Sequence, residues 1–248
     1  MILSVNGISK SFGGLQAVRD ASLDVEQGRI VSLIGPNGAG KTTLFALITG
    51  FHKPDAGRVV FDGEDVTGQA PERIARLGMV RTFQIVQPFA GQTVRDNIAV
   101  GAHLHRPARR DALRKAEEVA QQVGLADRLD QDAASLTVAG RKRLEVAKAL
   151  ATDPRLILLD EVMAGLNPSE VRDVIPVIQA IRDGGVTIVL IEHVMQAVMS
   201  LSEHTWVLNQ GEIIADGPPA ELARDPVVIE AYLGHGMAAR LAEEAPVA

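Results

Sequence analysis

Between an apolar, strand-like run, Ile30-Val31-Ser32-Leu33-Ile34, and a stretch with apolar residues at helical spacing, Leu44, Leu47 and Ile48, stands Gly35-Pro36-Asn37-Gly38-Ala39-Gly40-Lys41-Thr42-Thr43. This segment meets every fixed position of the pattern G-x-x-x-x-G-K-[ST] in the order strand, glycine loop, helix. It constrains the fold more than any other: a buried strand must feed the loop and a helix must leave it. Glycines let the backbone adopt positive φ and pass close to phosphate oxygens. The amides then face inward as a nest at a helix N-terminus, where the dipole also favours anions. In that chemistry Lys41 reaches the β- and γ-phosphates of a nucleotide and the Thr42 hydroxyl ligates Mg2+.

The rest of the chain alternates in the same way. Ile2, Val5 and Ile8, then Ser22-Leu23-Asp24-Val25-Glu26, predict short strands within residues 1–30. Residues 57–63 predict a strand ending in the turn Asp62-Gly63, residues 71–77 a helix, and 79–83 a short strand. From about 88 to 152 the pattern is helical: Leu113, Ala116, Ala120 and Val123 share one face of a helix over 109–123, and a second, 141–151, is basic on one side. Strands return at Leu156–Asp160, at 186–191 and in a hairpin, 206–208 and 213–215, turning at Gln210-Gly211. Strands and helices alternating on both sides of an all-helical insert predict an α/β core with a mainly parallel sheet and an inserted helical subdomain.

Leu156-Ile157-Leu158-Leu159-Asp160-Glu161 is four apolar residues followed by two acids, about 120 residues after the glycine loop. A buried strand ending in carboxylates delivers them to the edge of the sheet where ligands sit in open α/β folds. Asp160 is then placed to hold Mg2+, directly or through water. Glu161 is placed to polarise the water that attacks the γ-phosphate.

With these motifs in order, the chain resembles the nucleotide-binding subunits of ATP-binding cassette transporters over residues 1 to about 235. Phe12, in Ser11-Phe12-Gly13, matches the family's aromatic that stacks on adenine. Gln84, in Arg81-Thr82-Phe83-Gln84, matches the glutamine that contacts Mg2+ and the attacking water, in a loop where the family's membrane subunit docks. His193, in Ile191-Glu192-His193, matches the switch histidine that contacts the γ-phosphate. Leu136-Thr137-Val138-Ala139-Gly140 stands where the family usually has Leu-Ser-Gly-Gly-Gln, the signature that closes over ATP held by the other protomer.

The resemblance implies a P-loop NTPase core with a mainly parallel sheet, an N-terminal antiparallel β-subdomain and an inserted α-helical subdomain. It implies one domain over 1–236, with core and β-subdomain in 1–87 and 153–236, helices in 88–152, and an exposed tail over 237–248. ATP is expected on Phe12, Gly35, Pro36, Asn37, Gly38, Ala39, Gly40, Lys41, Thr42 and Thr43, and from a second protomer on Thr137, Val138, Ala139 and Gly140. Thr42, Gln84 and Asp160 are expected to hold Mg2+, and Glu161, His193 and Gln84 to carry out hydrolysis. The implied partners are a second cassette subunit, identical or not, integral membrane permeases and, indirectly, an extracytoplasmic solute-binding protein. The implied place is the cytoplasmic face of the inner membrane, as a peripheral subunit.

Three departures stand out. Val138 and Ala139 add side chains where the signature has glycines, and Gly140 replaces its glutamine. Val162 stands where the family mostly has proline after the catalytic acid, and Asn167, in Ala164-Gly165-Leu166-Asn167, where it usually has aspartate. Within the family, Arg81-Thr82-Phe83-Gln84, Ala164-Gly165-Leu166-Asn167-Pro168, Ile191-Glu192-His193, Asn209-Gln210-Gly211 and Ala231-Tyr232-Leu233-Gly234 resemble the ATPases that energise import of branched-chain amino acids and related amides. Lipopolysaccharide-exporting ATPases share several of these habits. A stand-alone cassette ATPase and a P-loop kinase are the alternatives outside transport.

Composition narrows the rest. A net charge of −6 argues against a nucleic-acid-coating role, so no nucleic-acid partner is expected. With no cysteine, disulfides, thiolate metal sites and thiol catalysis are excluded. The apolar runs fall short of the roughly 18 residues a span requires, and the N-terminus does not read as a signal peptide. Any link to a membrane is therefore expected to run through a partner.

Overall fold

The computed structural model describes residues 1–83, 87–89 and 91–233. Along the chain, β1 (Leu3–Phe12) and β2 (Leu15–Val25) form a hairpin, and β3 (Ile30–Ile34) enters the glycine loop and α1 (Lys41–Ile48). β4 (Ala56–Phe61), β5 (Glu64–Asp65), α2 (Pro71–Leu77) and β6 (Met79–Arg81) follow. The helical segment holds α3 (Val94–Ala102), α4 (Arg109–Gln122) and α5 (Val138–Leu150). Then come β7 (Leu156–Asp160), α6 (Pro168–Asp183), β8 (Thr187–Ile191), α7 (Met195–Leu201), β9 (His204–Asn209), β10 (Glu212–Gly217), α8 (Pro219–Leu222) and α9 (Pro226–Leu233).

Two sheets result. One is antiparallel, in the order β2-β1-β4-β5, at the N-terminal side. The other runs β10-β9-β3-β8-β7-β6, parallel throughout except for the antiparallel edge strand β10. β3, β7 and β8 are buried along their whole length, as strands covered on both faces must be. Their alternating side chains divide between two cores. Ile157, Leu159, Ile188 and Leu190 pack with the helices, while Leu156, Leu158, Val189 and Ile191 pack with α1 and the antiparallel sheet.

Several bounds differ from the sequence reading, two of them beside the motifs. The basic helix begins at Val138 rather than at 141, because Thr137 caps it: its Oγ1 accepts from Gly140 N at 3.2 Å. The short strand ends at Arg81 rather than at 83. The expected tail, 237–248, lies outside the described residues.

Candidate functional site

The glycine loop and the acid pair meet because β3, β8 and β7 are neighbours in register, Leu33 beside Ile191 and Ile191 beside Asp160. Three strands therefore release the glycine loop, Asp160-Glu161 and His193 at one sheet edge.

Gly40 is the N-cap of α1, in the left-handed region, and α1 has neither a side-chain cap nor an acid in its first turn. Its first amides are left for an anion. A Cβ on Gly40 would fall closer than 3.0 Å to the Ala17 carbonyl oxygen, and one on Gly35 equally close to that of Leu208. The loop is thus threaded between backbone segments that admit only glycine. Lys41 is buried, and its Nζ donates to the carbonyls of Gly35 (2.7 Å) and Pro36 (3.0 Å). Burial lowers its pKa, and the nearby Glu161 and Asp160 act in the opposite sense.

Asn37, Gly38, Ala39, Gly40, Lys41, Thr42, Thr43, Glu161 and Phe12 line one cleft of about 870 Å³. Phe12 ends β1 half-exposed, its ring edge-on to His52 with centroids 5.2 Å apart. Gln16 and Arg19, which belong to no motif, and Gln210 and Gly211, to which no site role was assigned, line the same cleft. Chain turns distant in sequence bring them there.

At the acid edge, Asp160 is fully buried. Arg81 Nη2 donates to its Oδ2 at 2.8 Å, while Oδ1 has no hydrogen-bond partner among the described residues. Burial raises its pKa, with Arg81 pulling the other way. Glu161 takes φ +50, unusual for a residue with a side chain. Its N–H donates to Ile191 O at 2.9 Å and its carbonyl accepts from Lys142 Nζ at 2.8 Å. These bonds hold the turn that points its carboxylate into the cleft. His193 Nδ1 lies 3.9 Å from Glu161 Oε1. Glu192, 1% exposed, accepts from Met163 N at 2.9 Å, and burial pushes its pKa up to about 7.

The expected residues divide accordingly. The glycine loop, Lys41, Thr42, Thr43, Phe12, Asp160, Glu161 and His193 come together. Gln84 lies outside the described residues. Thr137, Val138, Ala139 and Gly140 sit at the start of α5 and do not line this cleft; Val138 is 53% exposed. Asn167 is the N-cap of α6 in a full capping box with Glu170, so its side chain serves that helix. The sequence reading assigned no role to Arg81, Lys142 or Glu192. For Arg81 and Glu192 the available signal was a charge next to an apolar strand; Lys142, in the basic run Arg141-Lys142-Arg143, gave none, and which partner each would meet depended on strand order.

The donors suit a hard divalent cation. An orphaned, buried carboxylate oxygen of Asp160 stands at the same edge as the Thr42 hydroxyl, and Mg2+ takes oxygen ligands together with phosphates. Among the described residues no three His, Asp or Glu side chains form a metal cage by themselves.

Residues 18–164 match the family described as ABC transporter, and 212–238 the family described as branched-chain amino acid ATP-binding cassette transporter. The high-affinity branched-chain amino acid transport ATP-binding protein BraF of Pseudomonas aeruginosa is 42% identical over 94% of this chain and 98% of its own length. LivG of Escherichia coli, described in the same terms, is 40% identical over 94% and 98%. A solved nucleotide-free ATP-binding cassette from an ABC transporter superposes with a TM-score of 0.86 at 32% identity, covering 94% of this chain and 99% of that one. A second cassette structure, in its ADP conformation, gives 0.86 at 33% identity over 94% and 99%.

Proposed function

The chain belongs to the ABC transporter family, and from that premise we propose that it is the ATPase subunit of an importer for branched-chain amino acids or related amides. The observation that carries the ATPase role is the convergence of the glycine loop, Asp160-Glu161 and His193 at one edge beside the cleft. The match over 212–238 and the relatives' names supply the transported class.

The α1 amides and Lys41 hold the triphosphate, and Phe12 offers a ring face to the base. Thr42 and Asp160, with Gln84, are the residues that would hold Mg2+, which when bound offsets phosphate charge. Glu161 takes the proton of the attacking water, and His193, its Nδ1 3.9 Å from Glu161 Oε1, adds a contact at the γ-phosphate. The start of α5, where Thr137 and Val138 are exposed and do not line this cleft, serves the ATP of a second cassette, so the working unit is a dimer. The γ-phosphate then acts as a ligand with greater affinity for the closed pair.

Among the described residues no helix is long and apolar enough to cross a membrane. Permease subunits would hold the chain at the cytoplasmic face. A largely apolar groove of about 430 Å³ between the core sheet and the helical segment, walled by Phe51, Phe83 and Phe89, suits a permease helix. Reconstitution with permease subunits and a solute-binding protein from the same organism tests the proposal. Leucine uptake into vesicles that requires ATP and is abolished by Glu161→Gln is expected. ATP hydrolysis that no permease stimulates, with no uptake of any amino acid or amide, would overturn it.

A further inference from the structure

Arg81 joins two places that the fold otherwise keeps apart. Its Nη2 holds Asp160 Oδ2 at 2.8 Å, and the side chains of both residues are almost fully buried, 6% and 0% exposed. The same guanidinium lies over two rings, 5.7 Å from the centroid of Phe51 and 5.2 Å from that of Phe83. Those rings meet edge-on at 5.4 Å, are about half exposed, and wall the apolar groove together with Arg81. One guanidinium therefore neighbours both rings of the groove wall and bonds the aspartate of the acid pair.

We propose that Arg81 is a positioning residue that orients Asp160 for the metal and transmits the packing of the groove wall to it. Oδ2 is engaged by the guanidinium, which leaves the orphaned Oδ1 as the oxygen presented to a hydrated cation. No other hydrogen bond from a described side chain holds the Asp160 carboxylate. Its rotamer is thus tied to where the guanidinium rests. The guanidinium in turn rests on Phe51 and Phe83, so anything that moves these rings moves the carboxylate. A lysine replaces it only in part, since a compact ammonium cannot both reach Asp160 and spread a planar cation beside the rings. The functional meaning rests on the reading of the groove as the permease side, but the physical link is a property of this chain alone and is tested without any permease.

The probe is Mn2+ binding to the full chain saturated with a non-hydrolysable ATP analogue, read from the EPR signal of the free ion. Metal-free nucleotide affinity is measured in parallel with a fluorescent analogue in EDTA. Arg81→Met is expected to weaken Mn2+ binding about tenfold or more, with metal-free nucleotide affinity unchanged within about twofold. Arg81→Lys is expected to fall between that variant and the wild type. Phe51→Ala, at a half-exposed position outside the nucleotide cleft, is expected to weaken Mn2+ about two- to fivefold, the worth of an exposed cation–π contact. Phe51→Ala combined with Arg81→Met should be no worse than Arg81→Met alone. Unchanged Mn2+ affinity in Phe51→Ala overturns the link to the groove. Tighter binding in Arg81→Met overturns the positioning role, since the guanidinium would then merely repel the metal. Should Arg81→Met fail to fold, Phe51→Ala and Arg81→Lys decide the matter.

Discussion

Replacing Gly40 by alanine tests the phosphate cradle where it is most tightly threaded. The residue has φ +104, and an added Cβ would fall closer than 3.0 Å to the Ala17 carbonyl oxygen, a backbone atom of β2. Relief requires a backbone shift on the order of 1 Å. A left-handed conformation costs an L-residue about 1–2 kcal/mol, and forced repacking costs about 1–3 kcal/mol. The folded state should therefore lose about 2–5 kcal/mol, or about 5–15 °C in Tm for a chain of this size. The same shift carries the first amides of α1 out of hydrogen-bond range of a phosphate. Two charge-assisted bonds at about 1.5–3 kcal/mol each correspond to about 10²- to 10⁴-fold in Kd. Calorimetric titration with ATP and thermal melting of the same sample measure both terms. Gly63→Ala is the control: φ +81 with nothing within 4 Å of the new Cβ, in the Asp62-Gly63 turn away from the cleft. It should lose about 1–2 kcal/mol of stability and no ATP affinity. A folded Gly40→Ala protein that binds ATP within about tenfold of wild type would refute the reasoning.

Glu161→Gln should lower kcat by about 10²-fold or more while ATP affinity stays within about threefold, because the proton acceptor is lost and the cradle is intact; near-normal turnover would sink the assignment. The buried Glu192 gives a pH signature. Its folded-state pKa, about 7 against an ordinary 4.5, means that the native chain keeps a proton the unfolded chain has released. Its contribution is fully present below pH 4.5 and is lost as pH climbs through 7, an effect of about 3 kcal/mol. Urea midpoints from pH 5 to 7.5 should fall with pH, and Glu192→Gln should flatten much of that slope. Buried Asp160 acts in the same sense, whereas Asp55, Asp62 and Asp65, with lowered pKa values, act only at more acid pH. Val138→Gly with Ala139→Gly should raise ATP-driven dimerisation in gel filtration if the exposed Val138 side chain hinders closure; an unchanged dimerisation constant would count against that role.

The site was legible where chemistry and local structure coincide. A glycine loop between a strand and a helix, and a strand ending in acids, each state their role within ten residues. The unbroken apolar runs of β7 and β8 also announced strands covered on both faces, and the tertiary structure does divide those residues between two cores. The start of α5 was less legible, because Val138 and Ala139 read as a degenerate signature loop. Thr137 instead caps a helix that takes them in. The roles of Arg81, Lys142 and Glu192 were hidden for a different reason. Each acts on a residue 19 to 79 positions away in sequence.

By itself, the order of residues determined the local units: which segment cradles phosphate, which strand carries the acids, and which strand is followed by the histidine. Local backbone preference and side-chain periodicity act over a few residues, and the motifs lie within that range. Only the tertiary structure decided that β8 lies between β3 and β7, so that the three strand ends share one edge, and that one buried guanidinium reaches from the groove to Asp160. Strand neighbours are selected by the packing of whole faces across the chain, and no single segment contains that information.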